Sequence, residues 1–359
     1  MNGRKIFDDI RKEGYDCALF LDETSQHYLS DFYTTDGAVI ISEKETALLT
    51  DSRYIEAAEK DKAAGKLSDD VIPYLFKTGL YGDIAEYFKN VDAKKVCIDP
   101  ALISVKQLNL LKEKCENVEF GYISDICLNY RRVKTEGEIE KIKKAQSITD
   151  RAFSHILGFI NEGRTELEVA AELEYFMRCN GADGLAFETI AVSGKNSSLP
   201  HGVPTENKLT MNSFFTMDYG ARFGGYCSDM TRTVVPGKAD EEMRRIYNTV
   251  LTAQSEAMKY IKAGVSCFEA DKVARDVITD AGYGQFFGHS LGHSLGLEIH
   301  EAPARSPKSK DILAEGNIVT VEPGIYIPDK YGVRIENMVL VTKDGCINLT
   351  NSDRSLIEI

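Results

Sequence analysis

The chain has 359 residues, 43% hydrophobic and 28% charged, with a net charge of −13. That length exceeds one ordinary core and points to two domains. The acidic balance excludes nucleic acid or an anionic membrane as the main partner, since both attract basic surfaces.

The opening MNGRKIFDDI has no apolar stretch of signal-peptide length, and no later run approaches the roughly 18 apolar residues of a membrane span. A cytoplasmic location is therefore expected. CALFLD, AVIIS, TALLTD, VIPYL and KVCID follow as strands, with helical patterns near Lys5–Lys12, Arg53–Ala64, Gly82–Phe88 and Val105–Lys114. This alternation predicts an α/β domain with a mixed sheet over residues 1–132. The eight cysteines are scattered, with no C-x-x-C pair, and read as reduced thiols. Thr135 and Glu138 form a capping-box pattern that starts a helix just after the boundary, so a second domain covers 133–359.

The second domain is duplicated. GRTELEVAAELEYFMRCNGADG and GVSCFEADKVARDVITDAGYG align Gly163 with Gly264, Thr165 with Ser266, Glu168 with Glu269 and Gly181 with Gly282, each pair 101 residues apart. Both copies show a capping box at the start and glycine at the end of a helix. The expected result is an α+β unit with a pseudo-twofold repeat, its helices packed over one antiparallel sheet and a cleft where the halves meet.

Each repeat then supplies a pair of acids. Asp218 and Asp229 are symmetric about Phe223–Gly224, which predicts a hairpin with the two directly opposed. Glu322 and Glu336 are symmetric about Asp329, with a bulge expected at Pro323–Gly324. Facing carboxylates repel, and two such pairs need compensating charge, which divalent cations supply. FGHSLGHSLGLEIHE adds His289, His293 and His300, half of the six histidines in the chain. A neutral imidazole among carboxylates suits manganese, cobalt, iron or zinc.

In type, order and spacing, Asp218, Asp229, His293, Glu322 and Glu336 match the five metal ligands of the pita-bread metallopeptidases, and MDYGARFGGYCSDMTRT, GHSLGHSLGLEIHE, VEPGIY and GVRIEN resemble that family's motifs. The family comprises aminopeptidase P, prolidase, methionine aminopeptidase and the metal-free creatinase. The first domain resembles the creatinase type in layout. The resemblance implies two divalent ions, manganese first, and hydrolysis of Xaa-Pro peptides with proline second. Release of the N-terminal residue is preferred, with prolidase as the alternative. A creatinase-like hydrolase or a non-enzymatic peptide-binding protein is disfavoured by the complete ligand set. The resemblance also implies a homodimer, substrate or oxyanion contacts for His201, His289 and His300, a proton-carrying role for Glu322, and a place for Arg334 beside the site, with Tyr326 a weaker candidate. Ser294 and Asn337 depart from the family's usual residues, which would alter the cleft wall and replace a charged partner by an amide.

Overall fold

The computed structural model describes residues 2–359, which form two compact units divided between Tyr130 and Arg131.

The first unit runs α1 (Asn2–Lys12), β1 (Cys17–Phe20), α2 (Glu23–Ser30), β2 (Gly37–Ser42), β3 (Thr46–Thr50), α3 (Ile55–Ala63), β4 (Val71–Leu75), α4 (Leu80–Asn90), β5 (Lys95–Ile98), α5 (Val105–Lys114) and β6 (Glu119–Tyr122). The sheet is mixed, as expected, in the order β4-β3-β2-β1-β5-β6. β2 is antiparallel to β1 and β3, whereas β1/β5, β3/β4 and β5/β6 are parallel. Leu19, Ile40 and Leu49 pack under Ile84 and Phe88 of α4 and Leu111 of α5. The alternate residues Ala18, Val39, Ile41 and Leu48 are buried too, so both faces are covered. This explains the near-continuous apolar runs of β2 and β3. Helix α2 and strand β6 were absent from the sequence pattern. The hydrophobic side of α2 is short, and β6 offers only Phe120 to the core.

Helix α6 (Ile126–Arg131) leads to α7 (Glu136–Ile156), α8 (Glu166–Cys179), β7 (Gly184–Leu185), β8 (Ile190–Ser193), β9 (Phe215–Tyr219), β10 (Ala221–Phe223), β11 (Tyr226–Cys227) and β12 (Met230–Val234). The second repeat runs α9 (Glu241–Tyr260), α10 (Cys267–Asp280), β13 (Gly292–Ser294), β14 (Glu301–Arg305), β15 (Ile318–Val321), β16 (Gly324–Ile327), β17 (Tyr331–Arg334), β18 (Asn337–Val341) and β19 (Cys346–Asn348). The repeat is visible in the packing. Ile148, Phe153, Leu173 and Met177 of α7 and α8 cover Met217, Met230 and Val234, while Ile246, Val250, Ala270 and Ile278 of α9 and α10 cover Val319, Val321, Val333 and Val339.

Two expectations need correction. Pairing between the strands of this unit is antiparallel, but the strands are split among four sheets rather than forming one. The capping boxes at Thr135 and Thr165 form, but Ser266 makes no side-chain cap. There the Cys267 N–H, another of the helix's free first-turn donors, bonds the Asp311 carbonyl at 3.0 Å. Among the described residues no helix is long and apolar enough to cross a membrane.

Candidate metal centre

The first hairpin is not centred where symmetry of its acids suggested. Its turn lies on Gly224 and Gly225, with φ of 57° and 80°. A two-residue hairpin turn with positive φ at both positions is the glycine-demanding type that matches strand twist. The register moves accordingly, and Asp218 faces Thr231 rather than Asp229, which sits two residues earlier, between β11 and β12.

The second hairpin keeps its expected register. The pairs Ile318↔Leu340 to Val321↔Asn337 and Gly324↔Arg334 to Ile327↔Tyr331 share one alignment, which places Glu322 and Glu336 at opposed positions. No bulge shifts the strands. Pro323 carries no N–H, so the ladder is interrupted instead. Buried Gln254 of α9 bridges the gap, donating from Nε2 to the carbonyls of Val321 at 3.1 Å and Ile335 at 3.0 Å. These are the residues just before the two glutamates.

Three of the five expected ligands form one cluster, with Glu322 against its imidazole. One ligand atom each from Asp229, His293 and Glu336 lie within 4.8 Å of one another. His293 Nε2 is 3.5 Å from Asp229 Oδ2 and 3.4 Å from Glu322 Oε1. His293 Nδ1 donates to the Ser294 carbonyl at 3.1 Å, so the ring offers the Nε2 lone pair to the centre. A Cβ at Gly292 would run into Thr320 and Arg305, and glycine lets this backbone approach both. Glu322 accepts from the Thr320 hydroxyl at 2.9 Å, and Glu336 Oε2 from the Thr231 hydroxyl at 2.8 Å.

Electrostatics show what this set of side chains favours. Burial, followed by the Glu336, Asp218 and Glu322 charges, pushes the Asp229 carboxyl well above its ordinary range. Burial and the Glu322 and Asp218 charges do the same to Glu336. Burial raises Glu322 to about 7 and, with His300 alongside, lowers His293 to about 3. Asp218 Oδ1 and Glu336 Oε1 are buried with no protein donor. Unsatisfied buried carboxylate oxygens around an imidazole lone pair fit divalent cations.

Arg334 sits behind this cluster, 3% exposed. It donates from Nη2 to Asp218 Oδ2 at 2.6 Å, from Nε to Thr231 Oγ1 at 2.9 Å, and from Nη1 to the Tyr326 hydroxyl at 2.7 Å and the Pro200 carbonyl at 3.2 Å. Tyr326 in turn lies 3.0 Å from His289 Nε2, while His289 Nδ1 faces the Ser290 carbonyl at 2.8 Å. These partners place the proton on Nδ1 and make the tyrosine hydroxyl the donor to Nε2. Both His289 nitrogens are thus committed to protein, and burial lowers its pKa to about 4.

His201 and His300 are exposed at the rim, with the His300 ring centroid 4.4 Å from that of His293. The cleft they border has a volume of about 630 Å³, and Phe187, Ile190, Val203 and Ile299 contribute apolar walls. Ser294 does not alter the wall. It is fully buried, and its hydroxyl bonds the Pro303 carbonyl at 3.0 Å. Asn337 instead accepts from buried Arg232 at 2.9 Å. Thr231, Thr320 and Gln254 were missed by sequence reasoning. Thr231 and Thr320 had a signal, since each lies on a strand two residues from an acid of the site, Asp229 and Glu322.

A buried imidazole held neutral beside acids that cannot all ionise without a cation defines a metal-dependent hydrolytic centre. The chain belongs to metallopeptidase family M24, whose family model matches residues 140–343, and residues 4–133 match the Creatinase/Prolidase N-terminal domain. It is 37% identical over 354 residues to the Xaa-Pro dipeptidase of Pyrococcus horikoshii, covering 99% of this chain and 98% of the relative. Among solved structures, the Xaa-Pro dipeptidase from Bacillus anthracis is 40% identical with a TM-score of 0.93, covering 100% of this chain and 99% of that one. The X-Pro aminopeptidase from Thermotoga maritima is 37% identical with a TM-score of 0.92, covering 98% and 100%. The architecture is the creatinase-type N-terminal domain and pita-bread catalytic domain expected from the sequence.

Proposed function

We propose that this protein is a metal-dependent exopeptidase that hydrolyses Xaa-Pro bonds, with the dipeptide as its preferred substrate. The observation that carries this reading is the convergence of Asp229, His293 and Glu336, with Glu322 3.4 Å from the His293 ring, beside a cleft that Asp218 also lines and two exposed histidines rim. The dipeptidases of Pyrococcus horikoshii and Bacillus anthracis support the dipeptide over the longer substrate preferred from sequence. The Thermotoga maritima aminopeptidase keeps N-terminal release from longer peptides as the second reading.

Asp218, Asp229, His293, Glu322 and Glu336 would hold two divalent ions, which supply Lewis acidity toward the scissile carbonyl and toward water. The side chains do the rest. Glu322, fixed by Thr320, carries the proton from the attacking water to the departing proline nitrogen. His201 and His300 donate to the oxygen that gains charge. An Xaa-Pro amide has no N–H, so recognition relies on shape, and Phe187, Ile190, Val203 and Ile299 present apolar surface to the pyrrolidine ring. Arg334 holds Asp218 and Tyr326 in place rather than gripping substrate. Manganese, a homodimer and a cytoplasmic location complete the reading, to be checked by elemental analysis, light scattering and fractionation.

The direct test is hydrolysis of Gly-Pro beside Gly-Pro-Ala with manganese supplied. Faster turnover of Gly-Pro is expected. Cleavage of the tripeptide alone would move the reading to the aminopeptidase, and cleavage of neither would end it.

Removing metal is expected to abolish hydrolysis while the far-ultraviolet circular dichroism persists, because the two helix-on-sheet cores of the catalytic unit do not include the site. The Tm should fall, since a cation that binds only the folded state stabilises it by mass action. Full activity in protein shown metal-free by elemental analysis would contradict the two-ion centre.

A further inference from the structure

Glu166 opens α8, and its side chain is not spent on the helix. It is 1% exposed, and its four bonds all come from neutral donors, on Ser193 at the end of β8 and on Asn196 and Thr205 beyond it. Oε1 accepts from the Ser193 N–H at 2.6 Å. Oε2 accepts from Asn196 Nδ2 at 2.9 Å, the Thr205 N–H at 3.0 Å and the Thr205 hydroxyl at 2.7 Å. The attachment is reciprocal, since the Glu166 and Leu167 N–H groups donate to the Asn207 and Thr205 carbonyls, both at 3.1 Å. An unpaired helix end and a buried carboxylate, each costly alone, satisfy the same stretch of chain.

Pro200, His201, Gly202, Val203 and Pro204 line the cleft. They lie between the two places that Glu166 grips, Ser193–Asn196 on one side and Thr205 on the other. The loop is compact besides: a Cβ at Gly202 would sit 3.0 Å from Val192 Cγ1 and 3.1 Å from the Asn196 carbonyl oxygen. His201 itself is exposed, so its position depends on the backbone that carries it. The second repeat uses the same device with different residues. Buried Asp271 of α10 accepts from the Leu291 N–H at 2.9 Å and pairs with Arg275, which donates to the Phe287 and His289 carbonyls at 2.9 and 2.8 Å.

We infer that Glu166 is a positioning residue for hydrolysis, clamping both ends of the His201 loop so that the imidazole meets the reacting carbonyl. This rests on the reading of His201 as a cleft histidine that acts on substrate. In Glu166→Gln the amide keeps the shape but turns a donor toward the loop's donors, so the clamp opens without a cavity.

The experiment compares kcat and KM for Gly-Pro in wild type, Glu166→Gln, His201→Ala and the double variant, each with metal content and Tm measured. Glu166→Gln should keep its metal and lose about 10- to 100-fold in kcat, the scale of a small misplacement of a reacting group, with a smaller change in KM. The double variant should be no slower than His201→Ala, because the clamp acts through that residue. An equal loss from Glu166→Gln in both backgrounds, or no loss of kcat, would overturn the clamp while leaving the role of His201 intact. A His201→Ala enzyme of normal rate would overturn both. Thr205→Val removes one donor from the loop side and gives the same comparison if Glu166→Gln folds poorly.

Discussion

His293→Ala is expected to lose both its bound metal and its activity, whereas His300→Ala and His289→Ala should retain near-normal metal content. The division follows from which nitrogen faces which partner. His293 spends Nδ1 on the Ser294 carbonyl and aims Nε2 between Asp229 and Glu322, so no other side chain can take its place. His300 is exposed beside it and contributes no bond to the carboxylates. Its loss removes a donor to the developing charge, worth about 10²–10³-fold in rate. His289 has both nitrogens engaged by Ser290 and Tyr326, so its removal should act through Tyr326 and Arg334, at about the 10- to 100-fold scale of such supporting contacts. Metal stoichiometry on the three variants, alongside Gly-Pro turnover, checks the assignment. Metal lost from His300→Ala but retained in His293→Ala would reverse it.

Those three histidines show how far the sequence could be read. Their clustering and the two acid pairs were visible because each lies within one short segment. The Glu322–Glu336 register followed from symmetry about Asp329, since Pro323 interrupts the ladder without shifting it. The Asp218–Asp229 register did not follow, because Gly224–Gly225 is a better two-residue turn than the centre of the acids implied. What stayed hidden is contributed from a distance. Gln254 reaches across from α9 and Glu166 from α8, and the Thr231 and Pro200 partners that Arg334 takes beside Asp218 come from separate segments. Such partners have no local periodicity and become visible only once the chain is folded.

A second large effect is expected at Glu301, the residue after His300. Its carboxylate is fully buried and accepts from Arg131 at 2.5 Å and Lys134 at 3.0 Å, whose side chains are themselves 6% and 1% exposed. Its Oε1 also takes the Glu298 N–H at 3.2 Å, and both oxygens would sit 2.8 Å from a Cβ at Gly296. The cluster thus ties the segment before α7 to the turn that presents His300. Glu301→Gln takes the counter-charge from buried Lys134 and leaves Arg131 only the half-exposed Glu298 at 2.7 Å, a change worth about 3–5 kcal/mol of stability when a buried pair is broken. The difference should depend on pH in one direction. Burial acts to raise the Glu301 pKa, but Lys134 and Arg131 outweigh it and hold the carboxyl below its ordinary value. A depressed folded pKa contributes stability that is complete above the unfolded value, about 4.3, and fades as pH falls through the lower folded value. Urea denaturation of wild type and Glu301→Gln at pH 7 should therefore show the full gap, and the gap should narrow only below about pH 4. His300 sits at the end of this anchored turn, so turnover should fall as well while metal content holds. Equal stability of the two proteins at pH 7, or a gap that widens in acid, would show that the cluster does not hold this part of the fold.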